Sequence, residues 1–298
     1  MNQGRWFSGR WADKFYLSAF LLAGIIFIFT ATFAFAVGQW SVNTSAQVTK
    51  GNYIFDSNIT TYYFYGGFRF QTDRWSMAVN LPIIGQNNDL VTRTGGLFLP
   101  TGGMHHNENN EQDPFAGGMM GDDNNEDMHG MFPSGNLTYG LGDLYLYYEF
   151  QVLQEQATVP SVSLNSQTKV PTASQEKNYG TGEFDYGLGV SFRKSLNDFT
   201  IFMDIGFLVI GDPPEVTFND PVTFGLGIGK FFNHGRSSLQ LYYQSYSEIL
   251  PGYQAPSQVS LGFYFRMHRN LTVSLVGLAG LSETSPGTSF SSGLQFAL

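Results

Sequence analysis

The 298-residue chain contains no cysteine, which excludes disulfides, thiolate metal sites and thiol nucleophiles. That absence fits passage through an oxidising compartment without fixing one. Charge is scarce as well: 13% of residues are charged, against about a quarter in an average soluble domain. Basic residues are the scarcer kind, 15 against 24 acidic, and the net charge of -9 argues against a nucleic-acid partner. After residue 36 no unbroken apolar run reaches the ~18 residues that a membrane helix requires. Whatever enters a bilayer beyond that point must enter as strands. No Gly-rich phosphate loop opens a helix, and no helix is predicted in the mature chain.

What is abundant is Phe (28), Tyr (16) and Gly (35), a mixture suited to thin strands that meet lipid on one side. The N-terminus is of a different kind. Arg5, Arg10 and Lys14 precede an uncharged run over 15–36 that closes on Ala34-Phe35-Ala36, an A-x-A cleavage pattern. Residues 1–36 are therefore expected to be a signal peptide, with the mature chain starting near Val37. The alternative is an uncleaved membrane helix, for which the run is long enough.

From about residue 39 onward, apolar and polar or small residues alternate with period two. Leu144, Leu146, Tyr148, Phe150 and Val152 share one face, and Asp143, Tyr145, Tyr147, Glu149 and Gln151 the other. The same holds for 199–209, 239–246 and 259–266. A soluble sandwich also alternates, so the connections matter. Short turns are predicted at 72–74, 153–156, 195–198, 233–236 and 268–270, and longer loops at 51–57, 86–138, 171–183, 211–220, 248–256 and 282–288. Short and long alternate strictly, the pattern of an outer-membrane barrel with tight periplasmic turns and long external loops. The predicted fold is all-β: an antiparallel transmembrane barrel of about twelve strands over 37–298, with both ends periplasmic. The expected location is the outer membrane of a Gram-negative-type bacterium. Phe290, Leu294, Phe296 and Leu298 share one face of a terminal strand. Such a strand resembles the signal read by the barrel-insertion machinery, an expected partner beside outer-membrane lipid.

Gly140-Leu141-Gly142-Asp143-Leu144 resembles the strand opening of the outer-membrane transporter family named after the MetA pathway of phenol degradation. Val170-Pro171-Thr172, Gly180-Thr181-Gly182, Asp185-Tyr186-Gly187-Leu188, Gly211-Asp212-Pro213 and Leu271-Thr272-Val273 resemble further motifs of that family, in the same order. Ala173 stands where the family has Gly. The resemblance covers roughly 60–298 apart from the long loop, and implies a barrel passing small, often hydrophobic, compounds, without catalytic residues.

With apolar faces toward lipid, Arg69, Asp143, Glu149, Lys169, Asp185, Arg193, Asp204 and Arg266 are expected to point inward and to form the candidate permeation lining. Tyr63, Tyr65, Tyr145, Tyr147, Tyr242 and Tyr264 join them, as do Gly187, Gly189, Gly225, Gly227 and Gly229. Inward Gly leaves room, while inward Tyr fills it and offers a hydroxyl. Both charge signs occur, so pairing across the lumen is expected, and such a network either closes the barrel or lines a path. Twelve strands predict a lumen between the filled eight-stranded barrels and the open porins.

The long loop differs in composition. Between Arg93 and Lys169 there is no basic residue. Within 101–135 stand Met104, His105, His106, Met119, Met120, Asp122, Asp123, Met128, His129 and Met131. Imidazole with thioether suits copper, and clustered carboxylates suit harder divalent ions. The plain alternative is a solvated acidic loop.

Three functions are thereby weighed. The first is a channel or transporter for small, hydrophobic or aromatic organic solutes. The second is a sealed structural barrel, or one whose loop captures metal. The third is an outer-membrane hydrolase, which needs a base beside a nucleophile. Outside the long loop only His234 and His268 are present, both in predicted turns, so no Ser-His-Asp set assembles and no enzyme is expected.

Overall fold

The computed structural model describes residues 38–55, 58–86, 91–94, 97–100, 137–175, 177–213 and 216–298. The predicted signal peptide lies outside them. Among the described residues there are fifteen strands. They are β1 (Gln39–Gly51), β2 (Ile59–Gln71), β3 (Trp75–Gln86), β4 (Val91–Thr94), β5 (Leu97–Pro100), β6 (Thr138–Leu141), β7 (Leu144–Leu153), β8 (Ser161–Val170), β9 (Asp185–Leu196), β10 (Phe199–Val209), β11 (Val222–Phe232), β12 (Ser237–Tyr246), β13 (Ser257–His268), β14 (Leu271–Gly280) and β15 (Thr288–Ala297).

Every strand of the main sheet pairs antiparallel with its neighbours, and β1 pairs with both β2 and β15, so the sheet closes on itself. β6 and β7 occupy one place in the ring. β3 pairs with β6 over Ile83–Gln86 and with β7 over Trp75–Asn80. At the break, the Gly142 amide donates to the Pro82 carbonyl at 2.8 Å. The result is a twelve-stranded closed barrel of the outer-membrane type. Most wall strands are 10–13 residues long, enough for a tilted strand to cross a bilayer.

The alternation is inside out relative to a soluble protein. Phe68 is 58% exposed, Leu261 51% and Phe290 53%. An apolar surface that continuous belongs against lipid. Near the short-turn end, Trp40, Phe70, Trp75 and Tyr148 form an aromatic cluster with successive ring centroids 4.9, 5.2 and 6.2 Å apart, in which Trp40 is exposed and Trp75 and Tyr148 are buried.

The predicted alternation of short and long connections is present, with two differences. The turn expected at 153–156 runs over 154–160, because β8 begins only at Ser161. The loop expected over 86–138 carries a hairpin, β4–β5, in which Val91 faces Pro100 and Thr94 faces Leu97.

That hairpin helps to fill the barrel at its long-loop end. Val91 and Leu99 are buried together with Tyr53 and Phe55 of the first loop, Tyr63, Ile84 and Tyr179. Val216, Phe218, Ile249 and Leu250, from two further loops, complete the cluster with Leu208, Ile210 and Tyr246. This is a core of the soluble type, with water excluded from apolar contacts, set inside a membrane-type wall.

Candidate functional site: a chamber in the lumen

Beneath that core lies a cavity of about 600 Å³. Asn43, Asn80, Asn165, Gln167, Gln244 and Gln295 supply amides to its wall, and Ser76 and Ser191 hydroxyls. Arg69, Glu149, Asp204 and Tyr147 also line it, with Arg93 and Tyr246 on the side of the apolar core. The polar wall follows from strand register. Lipid claims one face of each strand, which leaves the alternate residues to line the lumen.

The amides and hydroxyls hold one another. Asn43 Nδ2 donates to Asn80 Oδ1 at 2.8 Å, and this pair lies where a side chain on Gly67 would sit: a Cβ there would meet Asn80 Oδ1 at 2.1 Å. Asn165 Nδ2 donates to Ser191 Oγ at 2.6 Å, and Ser191 donates in turn to Asp204. The second Asp204 oxygen accepts from the Tyr242 hydroxyl at 2.7 Å. Tyr242 reaches it by lying flat across β11, where a Cβ on Gly225 would be 1.9 Å from its hydroxyl. The space expected at Gly225, Gly227 and Gly229 is thus taken by Tyr242 and Phe202. The glycines keep these rings against the wall and out of the lumen.

The ceiling is built around Arg93 of β4. Its guanidinium carbon lies 5.0 Å from the Tyr65 ring centroid and 4.7 Å from that of Tyr145. Each of these rings stacks on a second tyrosine, Tyr63 and Tyr147 respectively. Arg93 Nη1 donates to the Tyr65 hydroxyl, and the Tyr145 hydroxyl donates to the Arg93 carbonyl at 3.4 Å. A guanidinium sandwiched in this way gains cation–π attraction from both rings. Arg93 was absent from the candidates read off the sequence. The available signal is Val91 to Pro100 itself, two short alternating runs around Gly95-Gly96, a hairpin pattern.

Of the residues expected to line a path, Arg69, Glu149, Asp204 and Tyr147 border the chamber. Asp143, Lys169 and Asp185 form a separate, enclosed group at the long-loop rim. Lys169 Nζ lies 2.9 Å from Asp185 Oδ2 and 3.7 Å from Asp143 Oδ2, and donates to Thr181 Oγ1 at 2.8 Å. Asp143 accepts from the Ala173 amide at 3.0 Å, and Asp185 from that of Gly211 at 3.1 Å. Thr172 Oγ1 donates to the Gly142 carbonyl at 3.1 Å. All of the short sequence motifs except Leu271-Thr272-Val273 therefore meet at one point, where they tie two loops to the wall. Close by on the same rim, partial burial pushes the Glu183 carboxyl up, against the opposing pull of Lys169.

Arg193, Arg266, Tyr242 and Tyr264 share the inward face of the wall by register. The expected pairing of arginines with acids across the lumen does not occur among the described residues. Arg69 Nη2 donates to Ser76 at 2.9 Å, and Arg193 lies over the Phe202 ring at 5.4 Å. Asp204 is already held by hydroxyls, and the rim acids by Lys169, so neither set is left for the arginines. His234 sits in a turn, as expected, whereas His268, expected in a turn, is the last residue of β13. The Met/His-rich segment, with Met104, His105, His106, Met119, Met120, Asp122, Asp123, Met128, His129 and Met131, lies outside the described residues.

No protein-family model matches the chain, and no curated protein matches its sequence. Solved structures do resemble it. An outer-membrane channel from Pseudomonas putida F1 superposes with a TM-score of 0.59 at 12% identity, over 89% of this chain and 97% of that one. The NanC porin superposes with a TM-score of 0.50 at 7% identity, over 86% and 100%. The likeness is one of fold: the chain shares the closed barrel of these proteins.

Proposed function

We propose that the protein is an outer-membrane channel that admits a small organic solute of partly aromatic character to the chamber in its lumen. The chamber of about 600 Å³ under a tyrosine-lined ceiling carries this reading. Its volume falls in the range of about 300–1,000 Å³ typical of small-molecule sites, which combine aromatic walls with a few placed polar groups. Resemblance to the transporter family of the MetA pathway type supports the same solute class. The reading includes an export signal cleaved after Ala36, residence in the outer membrane, and insertion by the barrel-assembly machinery through the terminal strand.

The test is uptake of benzyl alcohol into liposomes that carry the full mature chain. Uptake faster than in protein-free liposomes, and slowed when Tyr147 is replaced by Ala, is expected. No acceleration by the wild-type protein overturns the reading.

One observation favours the sealed barrel instead: the apolar core around Leu99 at the long-loop end. It predicts wild-type protein silent to ions and solutes alike. The copper reading of 101–135 rests on composition alone. A peptide of those residues should bind Cu(I) or Cu(II) in calorimetry at tens of micromolar, typical of weak surface sites.

A further inference from the structure

Two cations of the chamber, Arg69 and Arg93, have no ion pair with a carboxylate among the described residues, and the Nε–H of each is buried without an acceptor. Arg69 is tied to the wall by Ser76, whereas Arg93 has only tyrosines around it. Four ionisable residues other than tyrosine line the space: Arg69, Arg93, Glu149 and Asp204. Both oxygens of Asp204 are engaged, by Ser191 and by Tyr242. Glu149 lies opposite Ser76 on neighbouring strands, in the row that also holds the Ser76 partner of Arg69. Arg93 stands apart from both acids, at the ceiling. Its neighbours supply ring faces and a single hydroxyl oxygen. Ring faces attract a cation but leave its in-plane donors unused. A guanidinium held in this way lines the chamber with its positive charge uncompensated, and a carboxylate matches that charge.

Building on the channel reading above, we infer that the chamber selects small organic carboxylates, with the carboxylate seated on Arg93 and the rest of the molecule against the amide and hydroxyl wall below. The wall suits such a ligand. Gln167, Gln244 and Asn165 offer donors and acceptors to hydroxyl or ring-edge groups, and the Tyr147 ring provides a flat apolar surface beside the ceiling. A ligand cation would instead meet Arg93 unscreened, and a neutral molecule would leave its charge uncompensated.

The experiment uses the full mature chain in detergent micelles and three probes of one ring size: benzoate, benzyl alcohol and benzylammonium. Equilibrium binding is read by calorimetry at low salt. Benzoate is expected to bind at least about tenfold more tightly than benzyl alcohol, with benzylammonium the weakest. Arg93→Gln should bring benzoate to the level of benzyl alcohol, and Arg93→Lys should keep part of the preference, since it keeps charge without the planar fork. If Arg93→Gln does not assemble, the ranking on wild-type protein and on Arg93→Lys decides. Equal binding of benzoate and benzyl alcohol, or a preference that survives Arg93→Gln, overturns the carboxylate proposal and leaves the channel reading standing. Binding of none of the three probes overturns both.

Discussion

The two ends of the lumen are built by opposite rules. At the long-loop end, Tyr53, Phe55, Leu99, Phe218 and Ile249 pack as a soluble core would, with water excluded. Toward the turn end, the lumen is hollow and lined by amides, hydroxyls and four charges. The wall is continuous between them, and the same strands run through both. What differs is the origin of the filling. The upper half is stoppered by loop residues and by the hairpin β4–β5, which owe nothing to strand alternation. The lower half, apart from Arg93 at its ceiling, is furnished by what the wall strands point inward, and there glycine holds the large rings flat. A barrel can therefore set its access and its chamber with separate parts of the sequence.

The sharpest break in that comparison is expected at Lys169, which anchors the loops that form the stopper. Lys169→Met leaves Asp143 and Asp185 buried without their cation. Removing one partner of a buried ion pair costs about 3–5 kcal/mol. The variant should unfold at markedly lower urea than the wild type in micelles, followed by the loss of heat-modifiable migration on gels.

The wall common to both halves gives the next effect. Phe263→Arg places a charge in lipid, at about 2–4 kcal/mol near the midplane, and should prevent assembly in vesicles. Gln240→Arg, on the neighbouring strand but facing inward, should assemble close to wild-type yield. Equal damage from the two would refute the register.

The smallest effect lies at the turn end. Glu155 accepts from the Ser195 amide at 2.8 Å and pairs with Lys194 at 3.1 Å. The amide contact first, and Lys194 second, hold its carboxyl below the usual range. A depressed folded value means stabilisation that is present above the unfolded carboxylate value and lost as pH falls through the folded one. Glu155→Ala should lower Tm slightly at neutral pH and not at all at strongly acid pH, by differential scanning calorimetry.

Much of the wall was legible in the sequence because period-two alternation reports directly which side of a strand each residue takes. Leu146 and Phe263 read as outward and Tyr147 and Asp204 as inward from spacing alone, and the even strand count followed from the connections. The stopper was not legible, because its residues come from several loops in stretches too short to carry a period: Phe55 follows Tyr53-Ile54, Leu250 follows Ile249, and Tyr179 and Phe218 stand alone. Arg93 escaped for the same reason, although the runs around Gly95-Gly96 held a hairpin signal. The rim motifs show a third case. Asp143, Thr172, Thr181, Asp185 and Gly211 are visible in order, but that they meet is a property of register and loop closure.

The division of the lumen into stopper and chamber is tested most directly by single-channel recording of wild-type protein and Leu99→Asp in planar bilayers. Leu99 is fully buried in the stopper, and an unpaired carboxylate there is costly enough to unseat the hairpin. Small, infrequent steps are predicted for the wild type and clearly larger steps for Leu99→Asp. Large steps from the wild type that Leu99→Asp leaves unchanged would contradict the account, because the stopper would then not be what limits passage.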